Sequence, residues 1–329
     1  MTRVRQVIAA LAGRARGWGA PDTRQETSLR WAIDTAATPG RWGDRWGDTH
    51  FADSLAAALR RRGQQVTVDR RDTRGRASRA ADDVVVTLRG LTAVDPSPGA
   101  VNLLWVISHP DDVTAAEAAG FDAVFAASPA WAAARTAEWG VAVEPLLQCT
   151  DRERFSPGRP GGPARQVLFV GNARRGTTRP MVDWAVAAGA DLQVYGTGWE
   201  DTPHGDRVAA VFLPNDQVGA HYAAAGIVLN DHWADMRRAG FLSNRLFDAV
   251  ASGARVLSDP VEGTELFEGC VVTCGSADQV ARVLAADPDT VWPSAAHRRT
   301  VAERIRAAHS FDARAGVLLE RAVRLAALR

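Results

Sequence analysis

The sequence predicts an α/β protein of two successive domains, each a mostly parallel sheet covered by helices on both faces. Three observations carry that expectation. Short apolar, β-branched runs alternate with helix-period stretches from residue 29 onward. A cluster of Pro and Gly, SPGRPGGPA at positions 156–164, interrupts the alternation. The same alternation then restarts, and a chain of 329 residues is long for a single core.

In the first domain, residues 28–155, the strands are LRWAIDT, QVTVD, DDVVVTL, VNLLWVIS, FDAVFAAS and VAVEPLLQ, with helices at THFADSLAAALRRRG and PAWAAARTAEWG. After the 156–164 linker, the second domain, residues 165–310, reads RQVLFVGN, a helix near RPMVDWAVAAG, DLQVYGTG, a helix around NDQVGAHYAAAG, IVLND, FLSNRLFDAVASG, ARVLSD and CVVTCG. The tail reads as helices, the last of them, 311–329, a candidate to cross back onto the first domain. Residues 1–27 read as a candidate basic amphipathic helix whose apolar positions are Val4, Val7, Ile8 and Leu11. It is expected to dock on the protein, with weak contact to a membrane surface as the alternative.

Composition narrows the function. The formal charge is +1, so no nucleic acid partner is expected, and no apolar run approaches a membrane span. With no signal-peptide pattern at the start, a cytoplasmic enzyme is the expectation. Every basic residue is Arg; without Lys there is no Schiff-base chemistry and no Walker-type lysine. Cys149, Cys270 and Cys274 lack metal spacing and read as buried thiols, and Asp287 with Asp289 reads as a turn, so no metal is required. The arginine-rich stretch at 69–83 is balanced by acids and reads as a solvated connecting loop.

Candidate site residues follow from the parallel sheets, whose ligands gather beyond the carboxyl ends of the strands. Polar residues crowd those ends: His109, Asp111 and Asp112 after LLWVIS; Arg174, Arg175 and Arg179 after RQVLFVGN; His232, Trp233 and Asp235 after IVLND. In the helix of FLSNRLFDAVASG, Ser243 or Asn244 can cap the start and Gly253 the end. Leu246, Phe247, Val250 and Ala251 share one face, and Arg245, Asp248 and Ser252 the other. An Arg in the first turn with open amides suits a phosphate or diphosphate. Charge-assisted hydrogen bonds contribute about 1.5–3 kcal/mol against about 0.3–1 for the helix dipole, so Arg245 and Arg174 are expected to dominate. Asp248, one turn on, is placed to accept from a sugar diol. In TPGRWGDRWGDTHF, Gly40 and Gly43 allow close backbone approach, and Trp42 and Trp46 offer stacking surfaces. That stretch is not G-x-G-x-x-G, which argues against a nicotinamide cofactor.

The segments LLWVISHPDD, FDAVFAAS, PLLQCTD, LFVGN, VYGTGW, LNDHWADMRRAGFLSNRLFDAVASGARVLSD and ELFEG, spanning about residues 100–270, together resemble a bacterial glycosyltransferase family of GT-B fold. That family is related to the spore-maturation and group-one transferases. The resemblance implies two Rossmann-like domains and a metal-independent transferase that needs no cofactor beyond a nucleotide-diphosphate sugar. The second domain would bind that donor. It further implies retention at the transferred carbon and Asp248 in the place of a ribose-holding Glu; His109 and His232, histidines beside acidic residues at strand ends, are the candidate catalytic residues on their own setting. Arg174, Arg175, Arg179, Asp235, Ser243, Asn244 and Arg245 would surround the donor, while Gly40, Trp42, Gly43 and Asp111 would face the acceptor or donor. A second Glu of the family, eight positions before Asp248, is replaced by Gly240. The acceptor is left open among polysaccharide, lipid, protein and small natural product. A nucleotide-sugar 2-epimerase or a noncatalytic nucleotide-sugar-binding protein are the rival readings.

Overall fold

The computed structural model describes residues 28–158, 165–174 and 176–329. The chain divides into two compact units, the first running through Leu146 and taking in Phe311–Arg329, the second comprising Leu147–Ser310. The predicted amphipathic helix in 1–27 and most of the predicted linker lie outside the described residues. The division nonetheless falls at 146/147, ahead of the boundary expected at 155. The reason is local bonding: Gln148 accepts from the Asn244 amide, Thr150 donates to Asp248, and Phe155 stacks on Tyr222, all partners in the second unit.

The first unit comprises β1 (Arg30–Asp34), α1 (Gly40–Gly43), α2 (Gly47–Arg61), β2 (Gln65–Asp69), β3 (Val84–Arg89), β4 (Val101–Val106), α3 (Ala115–Ala119), β5 (Ala123–Ala126), α4 (Pro129–Trp139) and β6 (Val143–Pro145). Its six strands run parallel in the order β2-β1-β3-β4-β5-β6. β3 and β4 are buried at every position, as a sheet covered on both faces requires. The second unit comprises β7 (Arg165–Val170), α5 (Pro180–Ala187), β8 (Leu192–Tyr195), β9 (Val208–Ala210), α6 (Asn215–Ala224), β10 (Ala225–Asn230), α7 (Ala234–Arg238), α8 (Asn244–Ala251), β11 (Val256–Ser258), β12 (Val271–Thr273), α9 (Ala277–Ala285), α10 (Pro288–Val291) and α11 (Ala295–Ala308). Its parallel order is β12-β11-β10-β7-β8-β9. The last helix, α12 (Phe311–Ala327), packs on α2 and β4 of the first unit, where Phe311 meets the Phe51 ring edge-on at 4.7 Å.

Local sequence explains the element ends. Ser128, Ser276 and Ser294 each accept a hydrogen bond from an amide in the first turn of their helix, and Gly140 ends α4 at φ 66°. Period-two alternation then sorts the second core into two layers. Leu168 and Val228 face α8 and α11, while Val167, Phe169, Ile227 and Leu229 face α5 and α9.

In each sheet the strand order reverses at one point, between β1 and β3 in the first unit and between β7 and β10 in the second. Crossovers leave on opposite faces there, which opens a crevice at the carboxyl ends.

The 69–83 stretch is a mostly exposed connection, as the sequence suggests, but two of its arginines turn inward. Arg79 clamps Asp34 with two 2.7 Å bonds and reaches Asp69 at 3.0 Å, while Arg76 bonds Asp69 at 3.0 Å and also Asp82. Asp34 and Asp69 are completely buried, and desolvation pushes the Asp34 carboxyl up even with Arg79 beside it. The acids that balance the arginines in sequence are therefore their buried partners. Arg79→Ala is expected to destabilise the protein by about 3 kcal/mol, because it strands the buried Asp34 carboxylate and leaves Asp69 to Arg76 alone. Denaturant unfolding checks this; a change under a third of that size would mean the carboxylates are otherwise satisfied.

Candidate functional site

The reversal between β7 and β10 places Gly171–Arg174 beside Asn230–His232. Three guanidinium groups converge there on one carboxylate. Arg179 bonds Asp231 Oδ1 at 2.6 Å, Arg174 Nη1 lies 3.5 Å from Oδ2, and Arg245 Nη1 lies 4.0 Å from Oδ1. The Asp231 side chain is wholly buried. Neither its Oδ2 nor the Arg174 Nε has a hydrogen-bond partner. Like charges are held together in a dry place, and the consequence is measurable: burial holds Arg179 down to about 10, and Arg174 is lowered by the same cause.

Aromatic faces make this tolerable. Arg174 lies 4.2 Å over the Trp233 ring, and Arg179 and Arg245 lie 5.2 and 4.9 Å from Phe169. Arg179 also donates to the Asn172 carbonyl at 3.0 and 2.7 Å, which pins the loop after β7. Gly171 is required at that turn: a Cβ there would stand 2.8 Å from Arg245 Nη2 and 3.2 Å from the Phe169 ring. Arg175 lies outside the described residues.

His232 is not placed for proton transfer. Its ring is buried, Nδ1 lies 2.7 Å from Asp259 Oδ1, and Nε2 accepts the Ser243 amide at 3.2 Å. An Nε2 that accepts leaves the proton on Nδ1, so both nitrogens are engaged within the protein. The residue positions the entry to α8. Ser243 Oγ donates to Asn230 Oδ1 at 2.8 Å, and Arg245 donates to the same oxygen at 3.2 Å. Asn230, which no sequence signal singles out, thus ties β10 to α8.

A second correction concerns the open amides expected at the start of α8. The Ser243 amide is taken by His232, and the Asn244 amide by Gln148 Oε1 at 2.8 Å. Those two amides are therefore not open to an anion. The polar side of α8 is also not a wet face. Asp248 is 8% exposed, accepts from Thr150 Oγ1 at 2.7 Å and from Asn244 Nδ2 at 3.3 Å, and Ser252 is buried against the Asp248 carbonyl. Burial pushes the Asp248 carboxyl up to about 8, with Thr150 opposing the shift. Tyr222, also missed, is buried beside Arg245 and Asp248, and its phenol is pushed up to about 12 by burial. Neither Thr150 nor Tyr222 carries a sequence signal, since each reaches the site only through packing. Asp235 sits half-buried in the first turn of α7, where it accepts the Met236 amide and acts electrostatically on Arg174. Gly240, which follows α7, takes φ 69°, a conformation that favours Gly over the Glu of the resembled family.

The remaining candidates belong to the first unit. His109 follows β4 at φ 51°, a left-handed backbone rare outside Gly, ahead of Pro110. Buried Arg89 holds this turn, donating to the Asp112 carbonyl at 2.8 Å and to Glu117 at 2.7 Å. Asp111 is exposed on it. Asp48, in the first turn of α2, is half-buried; desolvation raises its carboxyl and His109 lowers it. A Cβ on Gly43 would stand 1.7 Å from the Thr38 carbonyl oxygen, so the turn closes only with Gly. Gly40 takes φ 71°, and Trp42 is 67% exposed. The structure thus joins Arg174, Arg179, Arg245, Ser243, Asn244 and Asp248 around the β7–β10 reversal, and gathers His109 with the α1–α2 turn at the other sheet.

Residues 174–320 match the family model described as glycosyl transferase-like. A search of curated proteins returns no match. Among solved structures the chain is similar to AviGT4, a glycosyltransferase involved in avilamycin A biosynthesis, at 18% identity and a TM-score of 0.62, covering 91% of this chain and 98% of that one. It is similar to the DNA-modifying β-glucosyltransferase solved with and without uridine diphosphoglucose, at 11% identity and TM-score 0.56, covering 90% and 100%. The fold is GT-B.

One prediction follows from the raised Asp248 carboxyl. A native pKa above the unfolded value means stability falls as pH rises from the ordinary carboxylate range to about 8. Asp248→Asn is therefore expected to gain stability relative to the parent progressively across pH 4–8, with a constant difference above 8. Denaturation across that range reads it, and a pH-independent difference would contradict the burial argument.

Proposed function

We propose that this protein is a glycosyltransferase that moves a sugar from a nucleotide-diphosphate donor to an acceptor hydroxyl, a reading supported by the match of residues 174–320 to the glycosyl transferase-like family model and by the GT-B fold. The supporting observation is the meeting of Arg174, Arg179 and Arg245 at the β7–β10 reversal. Planar guanidiniums suit a diphosphate bidentately, and their mutual repulsion is relieved by an anion. In the reaction the anomeric C–O bond breaks with its electron pair going to the β-phosphate oxygen, a bond forms to the acceptor oxygen, and the acceptor proton is released. Three cations at the leaving phosphate stabilise that developing charge where a divalent cation would otherwise be needed. Independence of metal is accordingly part of the proposal, and retention at the anomeric carbon is carried over from the resemblance.

Asp248, held by Thr150 and Asn244, takes the ribose hydroxyls in this reading. Its short side chain and fixed rotamer suit one diol rather than a range of sugars. His109 and the α1–α2 turn serve the acceptor in the first unit. His109's left-handed backbone supports a positional demand of that kind.

Calorimetry with nucleoside diphosphates and their sugars tests the donor side, beginning with uridine diphosphate sugars, since one structural neighbour was solved with uridine diphosphoglucose. Arg245→Ala is expected to weaken donor binding at least about tenfold, the loss of one charge-assisted bond; unchanged affinity would overturn the assignment. His109→Ala is expected to lower kcat with donor Kd unchanged, and equal turnover in both proteins would remove His109 from the reaction. Activity is expected to survive EDTA. An epimer formed from the nucleotide sugar alone would favour the epimerase reading instead.

A further inference from the structure

The arginines around the β7–β10 reversal would bind any phosphate, so the buried carboxylate among them calls for an account. Asp231 occupies the best position in the cluster. It takes Arg179 at 2.6 Å and lies at 3.5 Å from Arg174, yet its Oδ2 makes no hydrogen bond. An isolated carboxylate in this position weakens the site for anions, because it competes for the same guanidiniums and repels the incoming charge. Two other acids also act on Arg174, Asp259 and Asp235. Asp259 is engaged by His232 and Ser258, and Asp235 accepts the Met236 amide of its own helix. Asp231 is the acid bonded to the cluster itself.

We propose that Asp231 discriminates by charge between the donor and its spent product, holding a nucleotide sugar while disfavouring the nucleoside diphosphate left after transfer. The inference rests on the donor reading above. A nucleotide sugar carries two negative charges on its diphosphate, a diester; cleavage of the anomeric C–O bond leaves a terminal phosphate with about one more. A fixed negative charge in the wall of the site penalises that extra charge specifically, and one buried beyond the reach of counterions does so with little screening. The three guanidiniums still favour departure of the leaving group, while Asp231 limits how tightly the product is kept. Product release, which often sets turnover in enzymes of this kind of chemistry, is thereby eased.

The experiment compares affinities of uridine diphosphate and a uridine diphosphate sugar on the full chain, by calorimetry, for the parent, Asp231→Asn, Asp231→Ser and Asp231→Glu. Both neutral variants are expected to bind the nucleoside diphosphate about tenfold more tightly, with a clearly smaller gain for the sugar, as one charge a few ångströms away implies. Product inhibition is expected to strengthen in parallel. Asp231→Glu, which keeps the charge, is expected to keep the parent ratio. Equal shifts for both ligands, weaker product binding, or neutral variants that fail to fold would overturn the inference and leave Asp231 as a structural counterion. If the parent binds neither uridine nor other nucleoside diphosphates, it is the donor reading that has failed.

Discussion

Three arginines gathered on one buried carboxylate are the constraint around which the second unit is organised. Cations at this spacing repel, and burial raises the cost, so each is anchored a second way: Arg174 on Trp233, Arg179 on the Asn172 carbonyl, Arg245 on Asn230. Those anchors in turn fix the loop after β7, the end of β10 and the start of α8. The His232–Asp259 pair completes the frame by holding the Ser243 amide. A cluster braced in this way is arranged by the protein's own contacts, as the proposed stabilisation of a leaving phosphate requires.

The first unit uses the same chemistry for a different end. Arg79 and Arg76 neutralise Asp34, Asp69 and Asp82 beneath the 70–83 crossover, and Arg89 ties the His109 turn to Glu117. A chain without lysine has only the guanidinium for such work, and the guanidinium is suited to it. Five donors in a rigid fork can satisfy two carboxylates at once, whereas an ammonium serves as a compact point charge. Arg76 and Arg79 are each committed to buried acids, whereas at Asp231 the cations outnumber the acid they are bonded to, the arrangement on which the proposed anion binding rests.

Helix α8 shows how far periodicity reaches. Its apolar stripe, Leu246, Phe247 and Val250, is buried as the 3.6-residue spacing indicates. The spacing also set Arg245, Asp248 and Ser252 apart as a polar face, of which Asp248 and Ser252 are buried. Segment 147–150 covers that side, with Thr150 on Asp248 and Gln148 on the Asn244 amide. Amphipathicity identifies which side chains differ in polarity. It cannot tell water from a hydrogen-bonded neighbour contributed by residues almost a hundred positions away.

By itself the sequence determined the alternation of strands and helices, the two parallel sheets, the stop at Gly253, and the crowding of Arg174, Arg179 and Arg245 near strand ends. All of these are written in spacings of a few residues, where backbone sterics and side-chain period act directly. Tertiary structure alone decided that these arginines share Asp231, that His232 is locked between Asp259 and Ser243, that Arg76 and Arg79 turn inward, and that Asp248 sits under Thr150. Each of those depends on which strand lies beside which, and a carboxylate's role changes from solvated charge to buried counterion according to what the fold sets within about 4 Å of it.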